Sequence, residues 1–209
     1  MFKVVVEHLE PCLSPWVLTE YSYVSEVFKG RVVFTNVVKP KHAEVLSKLG
    51  EVVSDSVTES LARYSKTIVL DPIAEEVLEP EDLSDVDYVV IGGIMGAHPP
   101  ERRTWKYVTS RMPNAISRNI GPHQFTIAGA AYVVKKVEEG RRVREIPYVL
   151  GLKHLKKLSK DVELEIELPY AFPLNEHGEL VLPKDYVKLI AEYMLLYEQK
   201  NLFEDFECP

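Results

Sequence analysis

Cysteine and glutamine are nearly absent from this 209-residue chain, which has two of each: Cys12 and Cys208, Gln124 and Gln199. Two thiols at opposite ends exclude a multi-cysteine zinc site or a disulfide framework and leave open at most one bridge between them. No apolar run approaches the roughly 20 residues that a membrane-spanning helix needs. The first residues also lack the basic, apolar and small-residue succession of a signal peptide. A cytosolic protein without membrane contact is the expectation. Neither G-x-G-x-x-G nor G-x-x-x-x-G-K-[ST] occurs, so a phosphate-cradling nucleotide site is disfavoured.

What is present supports one sizeable core, since 46% of the residues are hydrophobic. The net charge of −7 argues against a nonspecific nucleic-acid coat, which rests on phosphate neutralisation. Charge is unevenly placed. Asp71 to Asp87 holds eight acids and no base, whereas Lys135 to Lys160 holds nine Lys and Arg against three acids. The second segment is either an electrostatic footprint for RNA or a ribosomal surface, or a solvated helix face.

Strand and helix signals alternate along the chain. "FKVVVEH", "RVVFTNVV", "KTIVLDP" and "DYVVIGG" are continuous β-branched runs of the kind buried on both faces of a parallel sheet. Between them lie helix signals. Ser14 is a candidate N-cap, Pro15 stands at the first helical position and Gly30 lies just past the end. "KPKHAEVLSKLG", residues 57–65, residues 101–111 and "TIAGAAYVVKKVEEG" read as further helices, with a short strand in "NAISRNI". The expected fold is α/β, a mostly parallel sheet flanked by helices, in a single domain spanning 1–209. Residues 160–209 differ: "DVELEIELPY" alternates with period two as a strand at a sheet edge, and a long C-terminal helix carries Tyr186, Leu189, Ile190, Tyr193, Leu196 and Tyr197 on one stripe.

Ligands of parallel α/β sheets bind beyond the carboxyl ends of the strands. Three strand ends carry unusual punctuation: Leu70, Asp71 and Pro72; the loop with Gly92, Gly93 and Gly96 before Pro99 and Pro100; and "NIGPHQFT", with Asn119, Ile120, Gly121, Gln124 and Thr126. Glycine permits close backbone approach and positive φ, while proline fixes a loop's exit. Such loops suit recognition by main-chain groups.

The ordered set "VVEHLE", "SPWVLTEYSY", "VLDP", "IGGIMGAHPPERRT", "RNIGPHQFT" and "REIPYV" resembles the SPOUT-class S-adenosylmethionine methyltransferases. It is most similar to the branch that methylates an arginine of a ribosomal protein, a branch also described as RNA methyltransferases. The resemblance runs from about residue 3 to about 170. It implies a trefoil knot in the carboxyl half and an S-adenosylmethionine slot between the glycine loops. No metal is expected. Relatives act as monomers or homodimers. Where the family pattern reads T-D-T-A, this chain has Ala128 in place of the acid.

Arginine methylation needs carboxylates to orient the guanidinium and help remove a proton. Candidates are Glu7 and Glu20, with His8 as another base, and Arg103 as partner of a cofactor or substrate carboxylate. Three functions remain open on the sequence: an arginine methyltransferase acting on a ribosomal protein, an RNA methyltransferase of the same fold, and a noncatalytic binding module.

Overall fold

Val and Ile runs form the centre of a six-stranded sheet in the computed structural model, which describes residues 1–59, 66–157 and 163–192. The strands are β1 (Lys3–His8), β2 (Val32–Thr35), β3 (Glu51–Val52), β4 (Thr67–Leu70), β5 (Tyr88–Gly93) and β6 (Ile116–Arg118). They are ordered β3-β2-β1-β5-β4-β6, and every pairing is parallel. Alternating side chains enter two cores, so both faces are covered, as the continuous apolar runs require. Val4, Val6, Ile68, Val89 and Ile91 pack with Val17, Tyr21, Val24, Val133, Val134 and Val137. Val5, Val33, Val69 and Val90 pack on the opposite face with Val57, Val108 and Met112.

Helices α1 (Pro15–Val27), α2 (Pro40–Leu46), α3 (Arg103–Tyr107) and α4 (Ile127–Glu138) connect the strands. Ser14 Oγ accepts from the Val17 N–H at 3.2 Å and so caps α1, and Gly30 takes φ +77° just beyond the helix. The single helix expected over 101–111 is instead α3 followed by a 3₁₀ turn at Thr109–Arg111. Of the helix expected over 57–65, residues 57–59 form a turn and the remainder lies outside the described residues.

The alternating segment departs most from expectation. It forms β8 (Glu163–Pro173) and pairs antiparallel with β7 (Tyr148–Lys157) in a separate two-stranded ribbon, not at the edge of the parallel sheet. Its wet face is as expected, with Lys153 lying 3.4 Å from both Glu165 and Glu167. The other face, with Ile166, Leu168, Tyr170 and Phe172, packs against Trp16 and against Tyr186, Ile190 and Ala191 of the helical residues 186–192. The rest of the expected C-terminal helix, and Cys208 with any pairing to Cys12, lie outside the described residues. Among the described residues no helix is long and apolar enough to cross a membrane.

The chain moves outward from β1 to β3, crosses to β4, and returns to place β5 between β1 and β4. Strand order therefore reverses between β1 and β5, the position at which such sheets open a crevice.

Candidate active site

A cleft of about 240 Å³ opens at the carboxyl ends of β4, β5 and β6. Residues 70–73, 91–92, 94–97, 100–104, 120 and 122–127 supply its walls. Leu70, Asp71, Pro72, Gly92, Gly96, Arg103, Ile120, Gln124 and Thr126 all line it. The sequence-derived loops therefore converge on one space.

Gly93, Asn119 and Gly121 brace the walls from behind. A Cβ on Gly93 would stand 2.5 Å from both the Glu7 carbonyl oxygen and the Tyr21 hydroxyl, so only hydrogen fits. Asn119 donates from Nδ2 to the Ala74 carbonyl at 2.9 Å and accepts from the Gly121 N–H at 3.0 Å, joining two of the loops. Gly121 has φ +119°, the one glycine in these loops that uses positive φ. Asp71 is tied down as well, accepting from the Ile73 N–H at 3.1 Å and the Thr109 hydroxyl at 2.6 Å. Thr126 caps α4 by accepting from the Gly129 N–H at 3.0 Å.

Glu7 and Glu20 stand apart from the cleft lining. Glu7 points into the face that holds Val5 and Val33, where it accepts from the Thr35 hydroxyl (2.5 Å), the Ser56 hydroxyl (2.6 Å) and the Val57 N–H (2.9 Å). Glu20 accepts from the Ala128 N–H at 2.6 Å and the Tyr186 hydroxyl at 2.5 Å. Burial pushes Glu20 up from the usual carboxylate range, opposed by those two hydrogen bonds. Through it, α1 is joined to the amino end of α4 and to the segment carrying Tyr186. An acid thus reaches the Ala128 backbone from another element.

His8 lies within a buried polar relay. Its Nδ1 is 3.0 Å from the Tyr21 hydroxyl, which donates to the Gly93 carbonyl, also at 3.0 Å. Since the phenol proton is directed to Gly93, His8 Nδ1 carries the hydrogen, and Nε2 then accepts from His42 Nδ1 at 3.0 Å. Burial, then the neighbouring His42 and Lys39, push His8 down to about 4, so the relay is neutral.

Of the three groups that hold the loop at 94–97, sequence reasoning named Arg103, for another role, and missed Glu10 and Tyr170. Glu10 Oε1 accepts from the Met95 N–H at 2.7 Å, the Arg103 guanidinium donates to the Met95 carbonyl, and the Tyr170 hydroxyl donates to the Gly96 carbonyl at 2.7 Å. One signal was available: Glu10 stands in the same "VVEHLE" stretch as Glu7, but beyond the strand end.

Among the described residues, four of the nine basic residues between Lys135 and Lys160 form ion pairs. Lys135 pairs with Glu138 (2.9 Å), Lys136 with Glu139 (3.0 Å), Arg142 with Glu79 (3.0 Å), and Lys153 with Glu165 and Glu167. Among the described residues no group of His, Cys, Asp and Glu is arranged to hold a metal.

A parallel sheet with a cleft beyond the carboxyl ends of β4, β5 and β6, flanked by these helices, is shared with solved SPOUT-fold proteins. The solved structures most like it include yeast arginine methyltransferase SFM1 complexed with S-adenosylmethionine (TM-score 0.79, 26% identity, 92% of this chain and 91% of that one). The complex of the same enzyme with S-adenosylhomocysteine gives 0.77 and 27%, covering 90% and 94%. The dual-specific Trm10 from Thermococcus kodakaraensis, at TM-score 0.53 and 16% identity over 68% of this chain and 96% of that one, shares the fold alone. The chain belongs to the SFM1-like protein arginine N-methyltransferase family, whose pattern it matches over residues 3–196. The protein arginine N-methyltransferase SFM1 of Saccharomyces cerevisiae is 28% identical over 204 residues, covering 91% of this chain and 94% of the yeast protein.

Proposed function

We propose that the protein transfers a methyl group from S-adenosylmethionine to an arginine side chain of a ribosomal protein. The observation that carries this reading is the cleft itself, walled by loops that lie far apart in sequence and meet beyond the carboxyl ends of β4, β5 and β6. The residues present fit the donor. At about 240 Å³ the space lies just below the usual range of ligand clefts, roughly 300 to 1,000 Å³, and so suits a compact, bent ligand. Ile91, Ile120, Ile127 and Phe125 give it apolar walls for a base, and Arg103, one of two arginines in the lining, gives it a guanidinium for a carboxylate.

The bound sulfonium supplies an activated methyl: the acceptor N–C bond forms as the C–S bond breaks, its electron pair stays on sulfur, and the acceptor releases one proton. What the chain must do is align and deprotonate. Leu70, Asp71, Pro72, Gly92, Gly93, Gly96, Asn119, Ile120, Gly121, Gln124 and Thr126 form or brace the donor slot. The net charge of −7, with four residues of the basic segment held in ion pairs, favours a basic protein over RNA as acceptor. A cytosolic place of action, as monomer or homodimer, belongs to the same reading.

Incubation with methyl-tritiated donor and separated ribosomal proteins and rRNA tests it. Label recovered as methylarginine supports the reading; label confined to RNA, or none in either fraction, removes it.

A further inference from the structure

We propose that Glu10 is the carboxylate that receives the acceptor guanidinium, with Oε1 committed to the Met95 N–H and Oε2 left for a substrate N–H. This rests on the arginine reading above and assigns it a residue.

Glu101 lines the cleft, but it is exposed to water and lies 3.8 Å from Arg103 Nε. The other carboxylates around the loops are buried. Glu7 holds three donors, Glu20 two and Asp71 two, and each is at most 2% exposed. Their lone pairs are engaged inside the fold. Glu10 is half-buried, and its one hydrogen bond among the described residues is Oε1 to Met95 at 2.7 Å. A guanidinium binds a carboxylate best when that carboxylate has an open oxygen in a partly desolvated place, where the charge is not fully screened by water.

Position supports the same assignment. Met95 is a wall residue of the cleft, whereas Glu10 is bonded to it without lining the cleft. That placement suits a group that meets a second substrate at the rim rather than the donor inside. Both ends of the Met95 peptide are gripped, the N–H by Glu10 and the carbonyl by the Arg103 guanidinium, so the carboxylate is held in place. Glu10 also lies near two phenols. Burial is the main cause that pushes Tyr21 and Tyr170 up, and the Glu10 charge adds to both. Tyr170 in turn holds the Gly96 carbonyl at 2.7 Å.

Glu10 would accept one guanidinium N–H at Oε2 and take the proton released on methylation, passing it to solvent from its half-exposed side. Glutamine keeps an oxygen for the Met95 N–H but loses the negative charge. Glu10→Gln therefore separates a loop-holding role from an acceptor-binding role.

The experiment uses full-length protein, S-adenosylhomocysteine titration, and a peptide spanning the arginine that wild-type protein labels. We expect Glu10→Gln to bind S-adenosylhomocysteine within about threefold of wild type, to bind the peptide at least roughly tenfold more weakly, and to turn over at least roughly 100-fold more slowly. Wild-type turnover in Glu10→Gln overturns the assignment while leaving arginine methylation intact. Loss of S-adenosylhomocysteine affinity in step with the rate also overturns it, since Glu10 would then act only by holding the loop. If wild-type protein labels RNA or nothing, the arginine reading itself fails, and that is seen before any variant is measured.

Discussion

Replacing Gly96 by alanine tests whether the loop after β5 is a rigid cleft wall. An added Cβ would lie 1.8 Å from Gln124 Nε2 and 2.5 Å from Tyr170 Cε1. The Gln124 amide can swing aside. The Tyr170 ring cannot, because it is buried among Ile166, Leu168 and Tyr186 while its hydroxyl holds the Gly96 carbonyl. The loop must therefore move, at an overpacking cost of about 1–3 kcal/mol, with about 1 kcal/mol more if the Tyr170 hydrogen bond breaks. If about 2 kcal/mol of this falls on the bound state, affinity for S-adenosylhomocysteine drops about 30-fold. Calorimetric titration measures the affinity, and thermal unfolding, with Tm expected to fall by about 2–4 °C for each kcal/mol of the remainder, reports the rest. Adding Gln124→Ser should restore only part of the affinity, since the ring clash persists. Gly30→Ala is the control: φ +77° with nothing within 4 Å predicts a stability loss and no change in affinity. Wild-type affinity in Gly96→Ala would refute the rigid-wall reasoning.

Glu7→Ala leaves the Thr35, Ser56 and Val57 donors without their acceptor, so urea unfolding should show a loss of about 2–4 kcal/mol. For His8, pushed down to about 4 by burial and then by His42 and Lys39, the neutral ring is the folded form. Its contribution is present above the ordinary 6.5 and is lost as pH falls toward 4. Wild type should therefore lose about 2–3 kcal/mol more than His8→Gln between about pH 7 and about pH 4.5, and parallel losses in urea midpoints would contradict this. Arg31 grips Glu138 through both nitrogens at 2.6 and 3.0 Å, and this guanidinium is the main cause holding Glu138 down at about 2. Glu138→Gln should cost about 2 kcal/mol at about pH 7, with the difference vanishing as pH falls from 4.5 to 2; a constant difference would exclude the ion pair as its source.

The parallel strands were legible because strands covered on both faces need unbroken apolar runs, and Val4 to Val6 or Val89 to Ile91 have no other use. Helix ends were legible where a cap is local, as at Ser14 and Gly30. The β7–β8 ribbon was not. "GLKHLKK" reads as a solvated basic stretch until the acids of β8 stand opposite it, and that pairing is a property of the hairpin rather than of either segment. The glycines were legible as a cluster but for a partly different reason. Gly121 uses positive φ, whereas Gly93 and Gly96 are needed because Tyr21, Gln124 and Tyr170 come too close for a Cβ. The partners of Glu7 and Glu20 lie between 28 and 166 residues away, which no local spacing reveals.

Amide hydrogen exchange with and without S-adenosylhomocysteine tests the location of the donor site most directly. The account predicts new protection concentrated at 70–73, 91–97 and 120–127, the segments that wall the cleft. Protection elsewhere, or none at saturating ligand, would contradict it.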